Sequence, residues 1–186
     1  MTEGKKIELL KSADITSVFG DTALGKSTFS LKLGKVTNQQ TIHLDAIRVK
    51  KPGIYYPTEY FLKHFNSALD KGNCILDGTA MDYIFTQLEK SDALVFFDGD
   101  NNKIMENFIN RLRRVRSGKE VILGFPGFYE SDPRFDEQII EDFKKVVDNY
   151  IVKKELLRPK LLKFEDKIIT VKNHTEIDNL TQLIRN

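Results

Sequence analysis

Apolar positions fall into two patterns along this chain: short apolar runs, and longer stretches where they recur every three or four residues. The runs are Ile15–Phe19, closed by Gly20, then Thr41–Leu44, Cys74–Leu76, Ala93–Phe97 and Ile168–Val171. Short apolar runs predict strands covered on both faces. The longer stretches predict helices. Lys26–Leu33 carries Phe29, Leu31 and Leu33 and is closed by Gly34. Thr58–Asp70 carries Tyr60, Phe61, Phe65, Ala68 and Leu69, with Gly72 as its stop. Met81–Leu88 reads as a short helix, Ile104–Arg116 as an amphipathic one, Phe135–Leu157 as a long one limited by Pro159, and Thr175–Ile184 as the last. Asp45–Tyr56 reads as a loop turning at Pro52-Gly53.

Strands alternating with helices predict an α/β fold, a parallel sheet with helices on both faces. In such sheets ligands bind beyond the carboxyl ends of the strands. Those ends carry Gly20, Asp45, Asp77 and Asp98. Asp and Gly also end strands for turn reasons, so each position has a second, structural explanation.

Length and charge narrow the field. At about 150 residues per domain, 186 residues predict a single domain. Hydrophobic residues make up 40% and charged residues 30%, an ordinary globular balance. Lys+Arg number 29 and Asp+Glu 27, and the net charge of +2 gives no bulk argument for nucleic acid or membrane. The single cysteine, Cys74, excludes an internal disulfide and predicts a cytoplasmic location. No apolar run suits a signal peptide or a membrane span.

The segment Gly20-Asp21-Thr22-Ala23-Leu24-Gly25-Lys26-Ser27 matches G-x-x-x-x-G-K-[ST], with a strand entering and a helix leaving. Two glycines let the backbone curl so that its N–H groups face phosphate oxygens, and the helix adds its positive end. Lys26 then reaches the β- and γ-phosphates, Ser27 binds Mg²⁺, and Thr28 contacts the α-phosphate. A glycine-rich turn before a helix with an exposed lysine is the alternative.

Asp77 is the candidate second acidic element, holding Mg²⁺ through water or orienting the acceptor. An Asp-Gly turn is its alternative. Asp45 could bind an acceptor hydroxyl or take its proton, or cap a short helix. Asp98 reads as structural. Arg111, Arg113, Arg114 and Arg116, with Lys119, form one dense basic cluster at a helix end. Their forked donors suit phosphate oxygens and predict a lid over about 104–134, while cations also simply suit a helix C-terminus. The aromatic stretch 124–129 could stack on a ring or pack beneath the lid. His43, His64 and His174 show no metal-ligand spacing, and Cys74 reads as a buried small hydrophobe.

With these pieces in order, the chain resembles small phosphate-loop kinases of the adenylate-kinase type. More specifically, it resembles the bacterial proteins known as topology modulation proteins or adenylate-kinase-like ATPases. The matching pieces are Val18 to Thr28, His43-Leu44-Asp45 with Lys51-Pro52-Gly53, Ile75-Leu76-Asp77-Gly78, Leu88 to Asp92, and Phe96-Phe97-Asp98 with Arg111 to Arg116 behind. The resemblance implies a three-layer phosphate-loop sandwich with a five-stranded parallel sheet in order 2-3-1-4-5. It also implies ATP with Mg²⁺, phosphoryl transfer to a small acceptor, and a place for Asp45 in the acceptor site. The chain departs from the family at Leu24, where a small residue is usual, and at Thr79-Ala80, Lys50-Lys51 and Gly124–Pro133. About a dozen N-terminal residues lie outside the match.

The leading expectation is an ATP-dependent kinase acting on a nucleoside or nucleotide. Lys26, Asp45, Asp77, Arg111, Arg114 and Arg116 carry the chemistry, and residues 20–28 bind the nucleotide. A gluconate- or shikimate-like metabolite kinase is an alternative within the same class. A nucleotide-binding regulatory module with weak turnover and a nucleic-acid-associated protein are alternatives outside it.

Overall fold

The computed structural model describes residues 1–51, 54–120 and 136–185. The chain opens with helix α1 (Glu3–Ser12), capped by the Thr2 hydroxyl, so the N-terminal dozen residues are an ordered helix. Strand β1 (Ile15–Gly20) follows, then α2 (Lys26–Thr37) and β2 (Gln40–His43). Next come a five-residue helix α3 (Leu44–Arg48), a hairpin of β3 (Val49–Lys51) and β4 (Ile54–Tyr55), and α4 (Thr58–Lys71). Strand β5 (Cys74–Asp77), a 3₁₀ turn at Met81–Tyr83, α5 (Ile84–Lys90), β6 (Ala93–Phe97) and α6 (Asn101–Arg116) complete the first part. After residue 135 come α7 (Asp136–Leu161), β7 (Ile168–Val171) and α8 (His174–Arg185).

Five strands pair in parallel in the order β2-β5-β1-β6-β7. Counting only this sheet's own strands, that is the expected order 2-3-1-4-5. The three central strands, β5, β1 and β6, are buried on both faces, and their side chains divide alternately. Val18, Ile75, Val95 and Phe97 join one cluster with Phe29 and Leu33 of α2 and Leu180 and Ile184 of α8. Leu76 meets Phe61 and Phe65 of α4 on the other face. Phe19, Leu94 and Phe96 meet Leu88 of α5 and Leu157 and Leu161 of α7 on that same face. The molecule is therefore a three-layer α/β sandwich, the architecture the alternation of runs predicts.

Several boundaries differ from the expectations. Gly34 does not close α2; the helix runs to Thr37 and ends on Asn38 in the left-handed conformation, with its N–H on the Gly34 carbonyl. Gly34 lies inside because its missing side chain lets the Gln39 carbonyl pass at a distance no Cβ would allow. The Asp45–Tyr56 stretch is not a plain loop but α3 and the β3–β4 hairpin; Pro52-Gly53 falls outside the described residues. Pro159 does not stop α7, which continues to Leu161. The proline sits in the last turn, where its missing N–H removes only one helical hydrogen bond. No helix among the described residues is long and apolar enough to cross a membrane.

Candidate functional site

The bend between β1 and α2 begins at Gly20, whose φ of +109° only glycine adopts without strain. A Cβ there would collide with the Phe97 carbonyl. Gly25 caps α2 from the left-handed region at φ +88°, so the chain enters the helix with its free N–H groups facing the loop. Ala23 also takes positive φ, at +58°. Leu24, the departure noted above, is 5% exposed and packs beneath the loop against Gly99, where a side chain would clash with it. The bulky residue thus fills the space between the loop and the β6–α6 connection.

Lys26 donates from Nζ to the Asp21 carbonyl at 2.6 Å and makes no ion pair with a carboxylate among the described residues. Desolvation lowers its pKa, against the pull of Asp77, Asp45 and Asp21 and with help from Arg111. The candidate residues from four separate stretches thus converge on this ammonium. Asp45 lies in the first turn of α3, one position inside the helix, so it is not the cap; His43 holds that place without a side-chain bond. The Asp45 side chain is accessible from the cleft yet closely walled by protein. That crowding raises its carboxyl pKa; nearby Asp77 adds to this, and Lys26, Arg48 and His43 oppose it.

Asp77 ends β5 with 4% exposure. Its Oδ1 accepts from the Ser30 hydroxyl at 3.1 Å, and its Oδ2 lies 2.6 Å from His43 Nδ1. An ionised carboxylate only accepts, so His43 Nδ1 carries the proton. Ser30 stands three residues beyond Ser27, on the same side of α2. The Asp77 carboxylate therefore borders the α2 face that carries Ser27. A hydroxyl and a carboxylate on that border are the hard oxygen donors a Mg²⁺–phosphate complex uses. The Asp77-Gly78-Thr79-Ala80 turn is fixed by buried Gln87, which donates to the Gly78 carbonyl at 2.9 Å and accepts from Ala80 N–H at 3.1 Å. Thr79 accepts from the Gly20 N–H at 3.2 Å, joining this turn to the phosphate loop.

The arginines separate. Arg111 is partly buried and near enough to depress Lys26. Arg111 and Arg114 share Glu120, at 3.2 and 2.6 Å, and Arg116 meets Asp136 at 3.2 Å. Arg113 and Lys119 are exposed. Among the described residues of the cluster, Arg111 is the one whose charge acts on Lys26, while its guanidinium also meets Glu120. The aromatic stretch 124–129 and most of the second half of the expected lid fall outside the described residues. Asp98 meets Arg158 at 2.7 Å and Lys154 at 3.3 Å.

Beside the cleft lies a pocket of about 250 Å³ lined by Arg48, Tyr55, Tyr56, Thr58, Phe61, Asp82 and Tyr83. Helix α3 links the two: Asp45 faces the loop and Arg48, three residues on, reaches Asp82 at 2.7 Å at the pocket. Phe61 and Tyr83 stack with centroids 5.7 Å apart, and Tyr56 and Tyr60 at 4.4 Å.

Two further residues, His43 and Lys154, are bonded to carboxylates of the site. His43 belongs to the His43-Leu44-Asp45 match, and its bond to Asp77 depends on β2 and β5 being neighbours. Lys154 of α7 is 3% exposed and lies 2.8 and 3.1 Å from the Asp21 carboxylate. A signal existed for it. Lys154 falls on the stripe Val147, Ile151, Leu157, Leu161, all buried or packed on the core, so a charge there had to find a buried partner.

No family model and no curated protein sequence matches this chain. Among solved structures it is similar to a gluconokinase from Sinorhizobium meliloti 1021. That likeness has a TM-score of 0.52 and 13% identity, covering 92% of this chain and 88% of the other. At that identity the likeness concerns the fold alone.

Proposed function

We propose that this chain is a Mg²⁺- and ATP-dependent phosphotransferase whose acceptor is a small molecule bearing an aromatic ring, a nucleoside or nucleotide. The observation that carries this reading is Lys26. It stands in a glycine-framed loop at a helix N-terminus, held by a carbonyl rather than a carboxylate, with Asp45, Asp77 and Arg111 around it. A cation with no carboxylate ion pair among the described residues, beside free backbone donors, is arranged for a polyanion.

In this reading Lys26 leaves the Asp21 carbonyl for the β- and γ-phosphates. Backbone N–H groups of 21–27 bind the same oxygens, and Thr28 lies over the α-phosphate. Ser27, with Asp77 behind it, would hold Mg²⁺, which neutralises charge on the phosphate oxygens. Asp77 keeps its place through Ser30 and His43. The acceptor hydroxyl gives its proton to Asp45 as its oxygen bonds to the γ-phosphorus, and the bond from that phosphorus to the β-phosphate oxygen breaks, leaving ADP. A raised carboxyl pKa makes Asp45 a stronger base than an ordinary aspartate. Arg111 stabilises charge spreading over the transferred group.

The neighbouring pocket supports this acceptor class. Its walls are Tyr55, Tyr56, Phe61 and Tyr83, flat faces suited to a ring system. Its one cation, Arg48, is already paired with Asp82. The narrower resemblance to the adenylate-kinase-like ATPases fits this assignment through His43-Leu44-Asp45. A second reading, a sugar-acid kinase, is favoured by the gluconokinase likeness. The test is transfer of labelled γ-phosphate from Mg-ATP to a panel of nucleosides, nucleotides and sugar acids. Product with a nucleoside or nucleotide, raised KM for it in Phe61→Leu and Tyr83→Leu, and no product in Lys26→Ala support the proposal. Product only with a sugar acid favours the second reading. ATP binding without transfer to any acceptor favours a regulatory module.

A further inference from the structure

Asp21 is fully buried, and every polar part of it is engaged. Its N–H donates to the Phe97 carbonyl at 2.8 Å. Its Oδ2 accepts from Gly99 N–H at 2.7 Å and from Lys154 Nζ at 2.8 Å, and its Oδ1 from Lys154 at 3.1 Å. Its carbonyl accepts from Lys26 Nζ at 2.6 Å. One residue thus joins β6, the β6–α6 connection, α7 and the lysine of the phosphate loop. The far end of the same ion network is Asp98, bonded to Lys154 and Arg158.

Gluing α7 to the sheet does not call for this arrangement. Apolar residues of similar size serve at least as well, because ions lose their hydration on burial. α7 already packs on the sheet through Val147, Leu157 and Leu161. The charge on Asp21 also stands beside a loop built to receive a polyanion, where it would repel phosphate unless neutralised. Lys154 meets both needs: it cancels that charge and it holds the loop's first limb from below. The residues of the other limb, Thr22, Ala23, Lys26 and Ser27, stay partly exposed.

Resting on the nucleotide reading above, we propose that Lys154 is a positioning residue for nucleotide binding. By neutralising and clamping Asp21 it presets the phosphate loop, and so makes triphosphate affinity depend on the seating of α7. It touches no reacting atom. Its effect is preorganisation, with donors fixed before the ligand arrives.

The test is Mg-ATP titration by calorimetry, with thermal melts, on the full chain and three variants. Lys154→Met should weaken Mg-ATP binding at least tenfold and lower Tm. Lys154→Arg should keep the affinity within about threefold, since its cation can still meet the carboxylate. The double variant Asp21→Asn with Lys154→Met removes the buried unpaired charge. Its Tm should recover toward wild type, while its affinity stays at least fivefold weaker because the clamp is gone. Lys154→Met binding like wild type, or a double variant that regains both Tm and affinity, overturns the proposal and leaves Lys154 structural. If Lys154→Met does not fold, the double variant alone decides by the same criteria. A wild-type chain without Mg-ATP affinity overturns the nucleotide reading itself, and this proposal with it.

Discussion

Two lysines near the same loop are held in opposite ways. Lys154 is buried against carboxylate oxygens of Asp21 and Asp98 at 2.8 to 3.3 Å. Lys26 has three acidic side chains in its electrostatic surroundings but bonds to a carbonyl. The first cation has what it needs from the protein. The second is kept partly dehydrated, with a lowered pKa, and a triphosphate would complete its surroundings. On the proposed reading the first charge positions the loop and the second meets the ligand, and burial or charge count alone does not separate them.

Substitutions at the two lysines should therefore fail differently. Lys26→Ala should reduce phosphoryl transfer by about three orders of magnitude or more, since it removes an electrostatic partner of the transferring group. Its Tm should hold or rise, because the folded protein disfavours that ammonium relative to the unfolded chain. Melts beside a radiolabel transfer assay check both. Lys154→Met should instead show its main loss in stability. Removing one partner of a buried pair costs about 3–5 kcal/mol, measurable by urea unfolding. A stable Lys154→Met or an unstable Lys26→Ala would erase the distinction.

Asp45→Asn carries the comparison to the acidic side. Transfer should fall about a hundredfold if its carboxylate takes the acceptor proton. The Asp45 pKa is raised in the folded state, so the folded chain holds that proton more tightly than the unfolded one. The ionised group then costs stability above its folded pKa, and that cost fades as pH falls through it. At pH 7 Asp45→Asn should thus melt above wild type, with the gap closing in acid. The acid limb of the wild-type rate profile should lie above the ordinary carboxylate range. The smallest contrast is among the arginines. Arg111→Ala should lower kcat about tenfold or more, as loss of a charge-stabilising donor does. Exposed Arg113→Ala should stay within about twofold, the ordinary effect of a solvated surface charge.

Much of this was readable from the chain because its signals are local. Ala93–Phe97 and Ile168–Val171 are strands with the boundaries their apolar runs predict. The glycine-framed loop and the acidic residues at the strand exits lie where the alternation of strands and helices puts them. The 44–56 stretch was not readable, because a five-residue helix and a short hairpin are too brief for periodicity and depend on tertiary contacts. The Asp77–His43 bond and the Asp21–Lys154 pair join residues 34 and 133 positions apart. Those partnerships follow from strand order and from how α7 docks, and no motif encodes them. Lys154 sat in plain view as the one charge on an apolar stripe, but its partner could be named only once the fold was known.

The central claim is that the β1–α2 bend and its convergent side chains bind a nucleoside triphosphate. Calorimetric titration of the purified chain with ATP in the presence of Mg²⁺ tests it most directly. The account predicts saturable one-site binding that is much weaker in Lys26→Ala. Absence of saturable binding to ATP and to GTP, with Mg²⁺ present, would contradict it.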